Sequence, residues 1–299
     1  MDDDHSAQVA TIKRIPAPDE PLPHVALPTL TLFVAALSLW VSSTGLALSG
    51  VWPWPISTVV NAAAAFLLFT VSHEAGHNTV ARDSRVNDWL GRIAMVFWVV
   101  VPMFRTYRFV HAQHHRFTNA DDGRDPEHYN MDGPRWSLPL RWLTQDLYYL
   151  VWYLPQLRDR PRREKVDFVL AWLFAGALIG ALALTGNFLL LIALWLVPSR
   201  ITLGVLGWSF DYLPHHDLDA HDRYKATRNR VGAEPLLTPL MLYQNYHLVH
   251  HLHPLIPFYR YISVWRRRED EYLATEPALV DPRGRPLTPD EYRALRESH

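Results

Sequence analysis

The sequence predicts an α-helical integral membrane protein built from two transmembrane hairpins, four spans in all, and three observations carry that expectation. Residues 25–72 form a run of 48 residues without Asp, Glu, Lys, Arg or His. A second apolar stretch, residues 168–210, holds one ionisable residue, Arg200. Each is long enough for two helices of about 20 residues and a turn. None of the 29 Lys and Arg lies between Arg14 and Arg82, or between Lys165 and Arg200. By the positive-inside rule, both hairpins therefore enter and leave from the cytoplasm and both turns face outward. The averages conceal this segregation. The 299 residues are 49% hydrophobic and 20% charged with a net charge of −1, and the mean hydropathy is −0.08, because an apolar half and a charged half cancel.

In chain order, residues 1–24 are polar and Pro-containing and read as a disordered cytoplasmic tail. Asp2, Asp3 and Asp4 argue against a signal peptide. Spans are expected over about 28–48 and 54–77, with Gly50, Pro53 and Pro55 breaking helix between them and Trp52 and Trp54 suited to a membrane interface. Segments 82–165 and 213–265 are cytoplasmic or interfacial. Within the first, residues 96–104 are too short to span and read as a surface or re-entrant element. Residues 136–157 carry Trp136, Trp142, Tyr148, Tyr149, Trp152 and Tyr153 beside Arg141 and Asp146, which suits interfacial helices. The remaining spans fall over about 167–185 and 188–212. Gly176 and Gly180 predict close packing of the third span within the bundle. Residues 25–265 form the membrane domain, and 266–299 read as a charged, solvated tail.

The composition narrows the chemistry. Balanced charge removes the electrostatic case for nucleic acid. There is no Cys, so disulfides, thiolate zinc sites and iron–sulfur clusters are excluded, and any metal must sit on nitrogen and oxygen ligands. There are 16 His, most of them in clusters with helical spacing. His73 and His77 are four apart at the cytoplasmic end of the second span. His111, His114 and His115 lie at i, i+3 and i+4, and His247, His250 and His251 repeat that pattern, so each group shares one helix face. His215 and His216 follow the fourth span. The topology lets all four groups converge on one cytoplasmic face. Eight or nine imidazoles exceed the needs of one metal and suit two, with iron, copper, zinc or nickel all acceptable to this ligand type. The segment from His73 through Glu74 to His77 also satisfies the zinc-protease pattern. That reading leaves both triplets unused. A His-rich metal transporter would place ligands within the spans, whereas these sit at span ends.

The residues His73-x-x-x-His77, His111-x-x-His114-His115 and His247-x-x-His250-His251, together with two hairpins, resemble the three histidine boxes of the integral-membrane fatty-acid desaturase and hydroxylase superfamily over about residues 30–265. The segments Asp211-Tyr212-Leu213-Pro214-His215 and Gln244-Asn245-Tyr246-His247, with Pro254 and the stretch through Tyr259, are most similar to cyanobacterial-type β-carotene hydroxylases. His253 and His216 depart from that pattern. The resemblance implies an all-α fold of four transmembrane helices with a cytoplasmic helical cap. At their junction it implies a di-iron site on His73, His77, His111, His114, His115, His215, His247, His250 and His251. It further implies dioxygen as co-substrate and ring hydroxylation of a carotenoid such as β-carotene. Fatty-acyl desaturation or hydroxylation is the alternative within the superfamily, and an intramembrane zinc metalloprotease the alternative outside it.

Glu74, Asp211 and Asn245 are expected to orient imidazoles, since ligating His usually donates its other nitrogen to such groups. Asp121, Asp122 and Asp125 read as turn and capping residues. Arg200, deep in a span, is expected beside the substrate channel. A lipophilic substrate would enter from the bilayer. No Gly-x-Gly-x-x-Gly is present, so electrons are expected from an external ferredoxin-like donor. The compartment implied is a bacterial inner membrane, with the termini and active site cytoplasmic.

Overall fold

The computed structural model describes residues 15–218 and 222–297. Four helices are long and apolar enough to cross a membrane: α1 Leu27–Leu48, α2 Trp54–Gly76, α7 Arg162–Leu184 and α8 Phe188–His215. Pro28 and Pro55 open α1 and α2, where a missing N–H costs nothing. Helix α2 packs on both α1 and α8 through buried polar contacts. Ser57 Oγ donates to Ser43 O at 3.0 Å, and Asn61 Nδ2 donates to Thr44 Oγ1 and to Leu194 O, both at 3.0 Å. Such bonds hold helices together where apolar surface gives no preference for a neighbour over lipid. Helix α8 is not regular. It widens into π turns over Ile192–Leu196 and Gly207–Tyr212. In the first, the carbonyls of Ala193 and Leu194 receive hydrogen bonds from Thr58 and Asn61.

Between α2 and α7 run α3 Ser84–Met95, α4 Phe104–Phe117, α5 Leu138–Leu143 and α6 Gln145–Tyr153. Asp83 caps α3 by accepting Arg85 N, a preferred arrangement at a helix start. Residues 96–103 form an irregular buried connection. Trp195 Nε1 donates to Val96 O at 2.7 Å and Ser199 Oγ to Trp98 O at 3.1 Å, so α8 satisfies two of the connection's backbone carbonyls, while Trp98 Nε1 donates to Ser72 Oγ of α2 at 3.0 Å. Within residues 136–157, α5 and α6 are two short helices, with Trp136, Leu140, Leu147 and Val151 exposed.

After α8 come α9 Glu234–Leu240, α10 His247–Leu252 and three further helices, Tyr261–Arg267, Glu269–Leu273 and Pro289–Glu297. A three-stranded sheet also forms: β1 Arg228–Arg230 runs parallel to β2 Ala278–Val280, which pairs antiparallel with β3 Pro286–Leu287. The expectation of an all-α fold is corrected here: strands of two or three residues leave no alternation to read.

Residues 266–297 are not a solvated tail. Trp265, Tyr272, Leu273, Leu279 and Tyr292 are buried in one core with Leu248, Val249 and Tyr261, and Trp265 Nε1 donates to Tyr292 OH at 2.9 Å. High charge masked a few large aromatics that supply the burial. Of the N-terminal tail, residues 1–14 lie outside the described residues. The described part is pinned: Ile15 N donates to Tyr224 OH at 2.9 Å, Arg82 Nε to Leu22 O at 2.7 Å, and Arg260 pairs with Glu20 at 2.9 Å. Gly176 and Gly180 do not meet the bundle either, since a Cβ at either position would touch nothing within 4 Å. Composition showed that α7 was apolar, not which of its faces would be covered.

Candidate metal centre

Four elements deliver the imidazoles. The last turn of α2 presents His73 and His77, α4 presents His111, His114 and His115, the end of α8 presents His215, and α10 presents His247, His250 and His251. The second π turn lies directly before His215; such irregularities recur where a helix must aim a functional side chain. The structure brings all nine together. His73, His77, His111 and His250 form one group, His114, His215, His247 and His251 a second, and His115 joins His250 and His251, with donor atoms within 4.8 Å of one another in each group.

Orientation is set from outside the cluster. His111 Nδ1 donates to Glu127 Oε1 at 2.8 Å, His114 Nδ1 to Asp125 Oδ1 at 3.0 Å, and His247 Nδ1 to Gln244 Oε1 at 2.8 Å. His250 Nδ1 lies 2.9 Å from Tyr261 OH, and His251 Nδ1 lies 3.3 Å from Thr118 Oγ1. With the proton on Nδ1, Nε2 keeps only a lone pair. These Nε2 atoms face one another: His77 and His111 at 3.0 Å, His111 and His115, His73 and His250, and His247 and His251 at 3.1 Å, and His114 and His251 at 3.3 Å. Lone pairs aimed at one another repel unless a cation lies between them. Two nitrogens about 2.1 Å from one cation lie about 3.0 to 3.4 Å apart at angles from square to tetrahedral. The observed spacings fall in that range. His215 Nε2, buried and without a hydrogen-bond partner, fits the same account.

The electrostatics agree at four of the imidazoles and run the other way at His114. Burial, reinforced by neighbouring imidazoles, holds His115, His247, His250 and His251 well below the ordinary histidine range. Neutral imidazole is the ligating form. At His114 burial acts in the same direction, but the Asp125 and Glu127 carboxylates outweigh it and push it up to about 9. Burial would raise Glu127, yet His114 and His111 hold it below the usual carboxylate range.

The other expected site residues fall less directly. Glu74 Oε2 accepts Thr79 Oγ1 at 2.7 Å and Phe258 N at 3.0 Å, tying the end of α2 to the chain after α10, while its Oε1 lies 3.6 Å from His73 Nδ1. Asp211 accepts Asn130 Nδ2 at 2.6 Å and touches no imidazole by hydrogen bond. Asn245 donates to Arg230 O at 3.3 Å and to Thr238 Oγ1 at 3.4 Å. It tethers backbone, and its neighbour Gln244 serves the histidine. Asp125 caps a 3-10 turn by accepting Glu127 N, and it also holds His114. His216 bonds Tyr212 O, and His253 bonds Tyr272 OH; neither joins the cluster. Sequence reasoning missed Glu127, Gln244 and Tyr261. Gln244 stands three residues before His247, in the turn that precedes α10 and not on the helix itself.

An apolar cavity of about 50 Å3 ends on His73, His111 and His247. Phe69, Trp98, Tyr107, Leu203 and Phe210 line it, and Gln145, Asp146 and Tyr149 of α6 close one side. Arg200 is not among the lining residues. Its guanidinium pairs with Asp146 through contacts of 2.8 and 2.6 Å and donates to Leu143 O at 2.9 Å, clamping α5 and α6 to α8.

Comparison with known proteins gives a consistent result. The chain is 30% identical over 239 residues to a dihydrorhizobitoxine desaturase of Bradyrhizobium elkanii, covering 70% of this chain and 65% of that protein. It is 27% identical over 199 residues to a β-carotene ketolase of a Paracoccus species, covering 64% of this chain and 71% of that one. It is 26% identical over 238 residues to an sn-1 oleoyl-lipid 12-desaturase of a Synechocystis species, covering 69% and 66%. The chain thus matches slightly less than two thirds of the first relative's length. Residues 49–282 match the fatty acid desaturase family, and the chain belongs to that family.

Proposed function

We propose that this chain is a membrane di-iron enzyme that uses dioxygen to oxidise an unactivated carbon of a lipophilic substrate. The carrying observation is the cluster of nine inward-facing imidazoles at the end of an apolar cavity. His73, His77, His111 and His250 would hold one iron, His114, His215, His247 and His251 the other, and His115 would lie between. Bound iron would supply oxygen activation and removal of hydrogen from carbon. The protein's own work is positional. Glu127, Asp125, Gln244 and Tyr261 fix the imidazole tautomers and ring planes. Phe69, Trp98, Tyr107 and Phe210 keep water from the reacting carbon and set which carbon reaches the histidines.

In this reading both helix pairs are hairpins that open toward the cytoplasm of a bacterial inner membrane. The histidine-bearing segments form a cytoplasmic cap. Electrons come from a ferredoxin-like donor: iron-loaded enzyme with NAD(P)H alone should be inactive until such a donor is added, and turnover without it would remove this element.

The segments around His215 and His247 favour hydroxylation of a carotenoid ring, and a relative named for a carotene substrate adds support. The width of the cavity favours a second reading, oxidation or desaturation of a straight acyl chain. Its volume of about 50 Å3 is well below the ~150 Å3 that accommodates one benzene ring. Either substrate would have to displace lining side chains such as Trp98 or Tyr107, a ring more than a polymethylene chain. Expression in a host supplied with β-carotene, with pigments and acyl chains both analysed, separates the two. Hydroxylated pigment with unchanged acyl chains is the expected result for the ring. New double bonds in lipids with unchanged pigment would overturn it.

A further inference from the structure

A groove separate from the metal cavity runs along α2 and α8. Its apolar limb, about 340 Å3, is walled by Val59, Ala63 and Leu67 of α2, Ile201 and Val205 of α8, and Leu240 of α9. It continues past Phe66, Val205 and Leu240 into a polar limb of about 520 Å3 that holds Trp208, His216, Arg228, Arg230 and Arg283. Both volumes lie in the range of small-molecule sites. An edge-to-face pair, Phe66 against Phe210 with centroids 5.7 Å apart, separates the groove from the cavity.

Charge is unevenly spent in the polar limb. Arg230 donates to the backbone carbonyls of Asp281 and Pro282 and meets no carboxylate by hydrogen bond. Arg228 donates to His216 O, and its Nε is buried without a partner. The Arg283 guanidinium is exposed and meets no acceptor among the described residues. Of the nearby acids, Asp281 is engaged by Arg285 and by the backbone N–H groups of residues 283 and 285. Among the described residues, Asp217 is the remaining acid beside Arg228. Unsatisfied guanidinium donors favour phosphate, which accepts in a fork. Exposed Trp208 lines the polar limb, as an aromatic does at a membrane interface.

We propose that this groove binds a glycerophospholipid, with its phosphate between Arg228 and Arg283 and one acyl chain along Val59, Ala63 and Val205. Basic pockets beside membrane-spanning helices recognise lipid headgroups by this combination of charge and apolar wall. The site is independent of the substrate proposed above, and it does not require a bound metal.

The test is the apparent Tm of the full-length protein in detergent, with dioleoyl phosphatidylglycerol, dioleoylglycerol or inorganic phosphate added separately. Saturating phosphatidylglycerol should raise Tm by about 5 °C, with little change from the other two. Arg283→Gln, on an exposed turn, and Val205→Trp, which fills the apolar limb, should each abolish the rise while iron content stays at the wild-type level. A rise produced equally by inorganic phosphate would overturn the lipid site in favour of a bare anion site. A rise that persists in both variants would overturn the location.

Discussion

At the scale of single residues, the centre depends on what stands behind each imidazole. Gln244→Ala removes the acceptor of His247 Nδ1, and a loss of about 10- to 100-fold in metal affinity is expected, measured by competition with a chelator. Asn245→Ala should leave that affinity near wild type, because Asn245 bonds Arg230 O and Thr238, and should cost about 1 kcal/mol of stability instead. Equal effects of the two would contradict the assignment. Arg200→Gln frees α6 from α8 at the Asp146 contact. Iron content should hold while KM for a lipophilic substrate rises, since Asp146 lines the cavity and the histidines do not touch this pair. Eight of the nine histidines were legible because spacings of three and four residues put side chains on one helix face, and His215 because it follows the fourth span. Asn245 was misread because the turn ahead of α10 has no helical period to tell it from Gln244, the neighbour that bonds His247. Glu127 gave no local signal: a turn and a 3-10 segment fold it back onto His111.

At the scale of elements, close contacts replace the missing hydrophobic preference between membrane helices. Gly91 of α3 sits where an added Cβ would lie 2.2 Å from the Phe104 ring and 2.9 Å from Ala75 Cβ, while Ser72 Oγ bonds its carbonyl. Gly91→Ala should therefore destabilise by about 1 to 3 kcal/mol through overpacking, read as a fall in apparent Tm. A neutral result would show that α2, α3 and α4 are free to shift. The segment after Arg268 acts on α10 at a distance. Val231 N bonds Val280 O, Arg230 N bonds Asn245 O, and Leu248 N bonds Asn229 Oδ1, so β2 steadies β1 and β1 steadies the third histidine triplet. Truncation after Arg268 should lower iron content although it removes none of the nine histidines. Full iron loading of the truncated protein would contradict this coupling. The four long helices were legible from length and charge exclusion alone. The short strands and the π turns of α8 were not, because each depends on pairing partners far along the chain.

At the scale of the whole molecule, two kinds of interior meet at one plane. One is an apolar bundle of four membrane-length helices joined by buried Ser, Thr and Asn contacts. The other is a charged region whose aromatics pack around the third triplet. Between them the nine imidazoles cluster, with the Nδ1 atoms of His111, His114 and His247 held by Glu127, Asp125 and Gln244. That arrangement is costly without cations, which makes metal content the most direct test. Metal analysis of the purified full-length protein should find two irons per chain. One zinc per chain, with iron absent, would contradict the di-iron account and return the His73 to His77 segment to its zinc-protease reading.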